Sequence, residues 1–183
     1  LLFLNGSFWG IYNVRDKITT NYLASLHHVD PDNIDLLEYE YGSSVPVAME
    51  GTTENYQQFY DFIKKNDLSE SQNFRFIESW MDMDEYINYQ VCEIFFDNTF
   101  WLDQNVRMWR ERRDGAKWRW ILFDTDFGFG MTNMRSTGPS HNTLKFATSS
   151  NETGFRLPSW STLIFRKLLE NADFRIRLIQ RFD

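Results

Sequence analysis

Cysteine is nearly missing: a chain of 183 residues carries one, Cys92. A single thiol excludes an intrachain disulfide framework and any zinc site built from paired cysteines. Histidine is almost as scarce, three in all with His27 and His28 adjacent, which leaves little material for a histidine-rich metal centre. No apolar run approaches the roughly 20 residues that a membrane-spanning helix needs. Excess positive charge is also lacking. The formal net charge is -7, which argues against general nucleic-acid binding, because phosphate contacts need a basic surface. A Gly-x-Ser-x-Gly elbow is missing too, so serine-hydrolase chemistry has no support.

What the chain does have is ordinary globular material with a heavy aromatic load. Hydrophobic residues make up 42% and charged residues 25%, and 183 residues suit one domain or slightly more. A chain of this size buries roughly 70% of its unfolded surface, enough for a sizeable core. Seventeen Phe, eight Tyr and seven Trp can fill that core, or serve as stacking platforms for sugars or bases. The sequence opens without Met in a strand-like run and closes in a helix-like one, so it reads as a piece of a longer protein. No internal repeat is visible.

Local signals place the elements in an α+β layout. Asn5-Gly6 joins two strands within residues 1–14, since a type I′ turn needs positive φ at both central positions. Thr19 or Thr20 can cap a helix running to about His27, and Pro31 and Asn33 break it. Residues 34–40 predict a strand, followed by a Gly/Ser/Pro connection. Thr52 or Thr53 can cap a helix that carries Tyr56, Phe59, Tyr60 and Ile63 at helical spacing. Asp82 with Glu85 forms a capping box for the clearest helix, whose Ile87, Val91, Ile94 and Phe95 make a core-facing stripe. That helix ends near Asp97-Asn98. A second hairpin follows, 106–110 and 117–123, turning at Asp114-Gly115. Residues 128–158 are rich in Gly, Ser, Thr and Asn without a periodic run, and loops this long are usually functional or mobile. Ser159 or Ser161 then caps a helix through Leu169, and Asn171 begins the last one.

The chemistry gathers between Phe96 and Gly130. The second hairpin puts Asn105, at the entry of its first strand, near Asp124, at the exit of its second, because the open ends of paired strands are neighbours. An amide oxygen with one or two carboxylates at such a mouth suits Mg²⁺, which takes a few protein oxygens and the rest from phosphate and water. In protein kinases an Asn and an Asp do this work. A plainer reading stands beside it: Asp-x-Asp after a strand, here Asp124 and Asp126, is often a turn that accepts backbone N–H bonds. A glycosidase pair drawn from the same two carboxylates is a weak signal.

Three phrases carry a resemblance: Leu4-Asn5-Gly6-Ser7-Phe8-Trp9-Gly10-Ile11-Tyr12, Asp30-Pro31-Asp32-Asn33-Ile34-Asp35-Leu36-Leu37-Glu38, and Lys117-Trp118-Arg119-Trp120-Ile121-Leu122-Phe123-Asp124-Thr125-Asp126-Phe127-Gly128. Together they resemble the CotH (spore-coat protein H) kinase family, in the same order from the first residue to about Gly130; the chain beyond matches loosely. The resemblance implies an atypical protein-kinase-like fold. It would be mostly the larger C-terminal lobe with two strands of the smaller lobe, residues 1–18 ending the small lobe and hinge and 19–183 forming the large lobe. It implies Mg²⁺- and ATP-dependent phosphoryl transfer to Ser or Thr of a coat or exported protein, at the cell surface or spore coat. Asn105 then resembles the family's metal-binding Asn, Asp124 its Asp at the DFG-like position, and Asp126 the second carboxylate of that motif. Asp16 stands in the hinge beside the adenine, where the family commonly has Glu.

Two departures follow from the same resemblance. The family usually shows Asn-Thr-Asp-Trp where this chain reads Asn98-Thr99-Phe100-Trp101, so the proton-accepting Asp is Phe100. Losing a positioned base typically costs about 10²–10⁴-fold. Asp97 or Asp103 could stand in, Asp103 being closer to Asn105. The ATP-pairing Lys and the phosphate-covering loop would lie upstream of Leu1. A pseudokinase that serves as a binding or assembly module is therefore the alternative function, and an aromatic-rich carbohydrate-binding domain is a third.

The remaining candidates have plain readings. Arg15 and Lys17 could touch phosphates but suit a solvated position after a strand. Arg107, Arg110, Arg112, Arg113, Lys117 and Arg119 could hold phosphates or an acidic substrate, but suit a solvated strand face. Trp101, Trp109, Trp118 and Trp120 are read as packing residues. His27 and His28 are read as structural at a helix end, and Cys92 as a small buried hydrophobe.

Overall fold

The computed structural model of the protein describes residues 1–11, 16–131, 138–150 and 158–183. Its opening hairpin pairs β1 (Leu2–Leu4) with β2 (Ser7–Gly10). Asn5 and Gly6 have φ of 50° and 80°, the positive pair that the Asn-Gly turn requires. This ribbon stays outside the main sheet, with Phe3 edge-on to Phe8 at 5.5 Å. Residues 12–15, which include Val14 and Arg15 of the expected hinge, lie outside the described residues.

The main sheet is antiparallel, in the order β4 (Val47–Glu50), β3 (Ile34–Tyr39), β5 (Val106–Glu111), β6 (Arg119–Ile121). β3 is buried on both faces, which its run of apolar residues makes possible. Leu37 and Tyr39 point into the large core, and Ile34 and Leu36 into a smaller one shared with Leu23 and Trp109. Leu23 comes from α1 (Thr20–His27), whose N-terminus is closed by Thr19 Oγ1 accepting the Tyr22 N–H at 3.2 Å. β4 escaped the sequence reading for a physical reason: it is an edge strand exposed at every residue, so it carries no alternation of apolar and polar positions.

Helices cover the other face: α2 (Glu54–Lys65), α3 (Ser71–Trp80), α4 (Met83–Phe95), α5 (Thr143–Thr148), α6 (Leu163–Leu168) and α7 (Ala172–Phe182). α2 buries the expected Tyr56, Phe59 and Ile63, although Thr53 at its N-cap makes no side-chain cap bond. α3 was not expected. Its stripe is only Phe74 and Ile77, with no cap side chain to announce it. α6 starts after Thr162 rather than Ser159 or Ser161, while Asn171 caps α7 as read, accepting from Asp173 and Phe174. α5 interrupts the long loop.

α4 organises the large core, packing on β6, α5 and α7. Asp82 caps it, but the capping box closes by half only. Glu85 donates its N–H to Asp82 Oδ1 at 3.4 Å, whereas its own Oε2 accepts the Trp120 N–H at 2.9 Å and so ties α4 to β6. The expected stripe also needs correcting: Ile87 and Ile94 are buried, but Phe95 is 69% exposed. Tyr86, Tyr89, Gln90 and Glu93 are buried instead, because neighbours on several sides widen the covered face beyond one stripe. Trp101, Trp109, Trp118 and Trp120 are all buried, which removes these four rings from the carbohydrate-stacking reading. Among the described residues the fold is thus mixed α/β, with seven helices and two small antiparallel sheets.

Candidate functional site

The site is built on the turn of chain that leaves α4 and returns through β5 and β6. Glu93, buried in the last turns of α4, fixes its start: Glu93 Oε2 accepts from Asn98 Nδ2 at 2.8 Å, and the Glu93 carbonyl accepts the Asn98 N–H at 3.1 Å. Asn98 Oδ1 in turn accepts the Phe100 N–H at 3.2 Å. Burial pushes the Glu93 carboxyl up to about 8, with the Asn98 hydrogen bond pulling the other way. Asn98, Thr99, Trp101, Leu102 and Asp103 are then all buried, so the loop that reaches Asn105 is packed into the protein.

At the open end of the β5–β6 hairpin, Arg107 pairs with Ile121 across the ladder. Asn105 flanks β5 and Asp124 follows β6, so both come to the same end, as hairpin geometry predicts. Arg107 pins that end. Its guanidinium bonds Glu38 at 3.0 Å, its partner in register on β3, and lies 4.3 Å over the Phe123 ring. Asn105 and Asp124 both have φ of 55°, left-handed conformations that cost most residues energy and that Asn and Asp tolerate best. Two such residues at one hairpin mouth form the kind of local strain that collects at binding sites.

Past Asp124 the chain turns back on the end of α4. Phe129 donates its N–H to the Phe96 carbonyl. A Cβ on Gly128 would stand 2.7 Å from that same carbonyl oxygen, so a residue without a side chain allows the approach. Phe127 packs its ring on Phe100, 5.2 Å between centroids. The position where the resemblance expects an acidic side chain therefore holds an aromatic contact between the two loops.

The five candidates read from sequence divide clearly. Asn105 and Asp124 share the hairpin mouth, and Asp126 lies two residues on, exposed like Asp124. Asp103 is 8% exposed, in the loop between Phe100 and Asn105. Asp16 is exposed, beside residues that are not described. Among the described residues no three Asp, Glu, His or Cys side chains gather closely enough to hold a metal by themselves. The donors present are hard oxygens, two carboxylates and an amide. They fit Mg²⁺, which completes its shell with phosphate oxygens and water, better than a metal needing a full protein cage.

The hairpin's basic residues mostly have local partners. Arg119 bonds Asp82 at 3.0 Å, Arg113 bonds Glu111, and Arg112 reaches the Asp32 carbonyl. His28 ends α1 in the left-handed conformation with φ of 57°, and the His27 ring lies 4.7 Å from Trp109. Burial, then Arg119 and His28, hold His27 below the ordinary imidazole range, which opposes the pull of the helix end. Cys92 is half-buried, with burial raising its thiol. One pair escaped the sequence reading altogether: Asp97 and His141, whose Nδ1 lies 2.6 Å from Asp97 Oδ1. They stand far apart in the chain, and no spacing rule links them.

Comparison with known families finds one that the chain resembles along its length. The description "CotH kinase protein" matches residues 1–183, the whole chain, and the protein belongs to that family. No curated protein and no solved structure matches it.

Proposed function

We propose that the protein is the larger lobe, with the end of the smaller one, of an atypical kinase that transfers phosphate from ATP to a Ser or Thr of a protein. Residues 1–18 would end the small lobe and 19–183 form the large one, with Asp16 beside the nucleotide. The observation that carries the reading is the hairpin mouth, where Asn105 and Asp124 share a strained backbone conformation next to an exposed Asp126. Asn105, Asp124 and Asp126 would hold Mg²⁺, which when bound neutralises charge on the phosphates. The chain's own part is positioning: Arg107 and Phe123 fix the hairpin end, and Glu93 with Asn98 fix the loop between α4 and β5. Asp103 is the carboxylate of that loop closest in sequence to Asn105. A coat or exported protein is the substrate class that family membership favours.

Phe100 favours a second reading, a pseudokinase that keeps the fold as a binding or assembly module. The test is transfer of labelled phosphate from ATP by the full-length parent protein with Mg²⁺, autophosphorylation included, beside Asp124→Asn. Transfer that disappears in the variant supports the kinase. A folded parent that transfers nothing to several acceptors, and does no better than the variant, supports the module.

A further inference from the structure

The family's proton-accepting position is filled by Phe100, yet a polar pair stands close by in the chain's turn. Asp97 follows α4 with φ of 53°; its Oδ1 accepts from Thr143 Oγ1 at 2.8 Å and lies 2.6 Å from His141 Nδ1. The segment that carries His141 is held in place. The His141 N–H donates to the Gly138 carbonyl at 2.9 Å, Asn142 caps α5 by accepting the Lys145 N–H at 2.8 Å, and the imidazole meets the Phe146 ring edge-on at 5.4 Å. Asp97 follows Phe96, the residue against which Phe129 and Gly128 dock. The loop bearing Asp124 and Asp126 and the Asp97–His141 pair therefore pack on the same turn of backbone at the end of α4.

We propose that His141 accepts the proton of the substrate hydroxyl, with Asp97 as the residue that positions it; this rests on the phosphotransfer reading above. An ionised carboxylate only accepts, and the Thr143 hydroxyl already donates to it, so the Nδ1 that faces it carries the ring proton. A neutral imidazole then presents a lone pair at Nε2. As the hydroxyl oxygen bonds to the γ-phosphorus, the bond from that phosphorus to the departing diphosphate oxygen breaks and the hydroxyl proton moves to Nε2. The imidazolium that results faces the Asp97 carboxylate, an orienting and charge-stabilising arrangement used by Asp–His pairs in other enzymes. Imidazole is also the commonest proton acceptor in catalysis.

The test uses the full-length parent protein and two independent readouts. Nitrogen-15 spectra of its histidines report the tautomer directly, without any variant. We expect His141 protonated at Nδ1 and bare at Nε2, with Asp97→Asn disturbing that state. In transfer assays His141→Gln should lower kcat about 10²–10⁴-fold while Mg²⁺·ATP still binds with parent affinity. An Nε2-protonated tautomer overturns the proposal. So does a His141→Gln protein that transfers at the parent rate, or a loss confined to Asp103→Asn; both leave the kinase reading standing. A parent that binds Mg²⁺·ATP but transfers nothing overturns the kinase reading and the proton acceptor together.

Discussion

Glu93 is the buried carboxyl on which the site loop hangs, and Glu93→Gln tests that role. The folded protein holds this carboxyl near 8, against 4.5 for an unburied one, because burial disfavours the ionised form. The sign follows from proton counting. Below pH 4.5 both folded and unfolded chains keep the proton. Between 4.5 and about 8 the unfolded chain releases it and the folded one does not, so stability falls as pH rises; above about 8 the loss is complete. At about 1.4 kcal/mol per unit, the window corresponds to a loss of up to about 5 kcal/mol, and relaxation around the ionised group reduces it. Glutamine keeps an acceptor for Asn98 and never ionises. The variant's advantage over the parent should therefore be no more than about 1 kcal/mol near pH 5 and grow to at least about 2 kcal/mol at pH 8.5. Glu85, pushed up to about 7 by burial, imposes a similar slope, so the quantity to measure is the difference between two proteins and not one curve. Urea unfolding at intervals from pH 5 to 8.5 gives that difference. A gap that stays constant across the range refutes the argument, because it means that Glu93 titrates alike in both states.

Three further expectations concern stability. Gly51→Ala should cost about 2–4 kcal/mol in urea unfolding, since a Cβ there would clash with Asp35 Oδ1 and stand 2.7 Å from the Ile34 carbonyl, with φ already at 76°. Asn171→Ala should lower stability by about 2 kcal/mol, because Asn171 caps α7 and also donates to the Leu68 carbonyl at 3.1 Å, and the loss should show as a lower melting temperature. Tyr89→Phe should leave stability equal or raise it by about 1 kcal/mol, because it removes a buried hydroxyl without a partner among the described residues; a clear loss in thermal unfolding would contradict this.

What could be read from sequence and what could not differ by physical cause. The Asn5-Gly6 turn, the Thr19, Asp82 and Asn171 caps and the buried β3 are short-range signals, and each stands where it was read. That Asn105 and Asp124 flank the same end of the β5–β6 hairpin follows from local pairing in the same way. β4 was not, because an edge strand with no buried face leaves no pattern. Phe95 looked like core by period alone, but the period says nothing of how many neighbours surround a helix, and α4 has several. Glu93 had a faint signal, standing seven residues after Tyr86 on the buried face. His141 had none, since its meaning lies in a contact with Asp97 across the fold.

These causes bear on how Phe100 should be weighed. If the resemblance is followed residue by residue, Phe100 stands where an aspartate is expected, and a phenylalanine accepts no proton. In the fold the same ring joins Phe127, so the substitution also fastens the loop of Asp124 and Asp126 to the loop that leads to Asn105. Glu93 anchors that second loop from inside α4, and Gly128 and Phe129 dock the first on Phe96. Rigid placement of oxygen ligands is the larger part of what a phosphotransfer site must provide. The protein has invested in it on several sides. On the proposed phosphotransfer reading, Phe100 puts the proton acceptor in question, and His141 held by Asp97 is the proposed replacement.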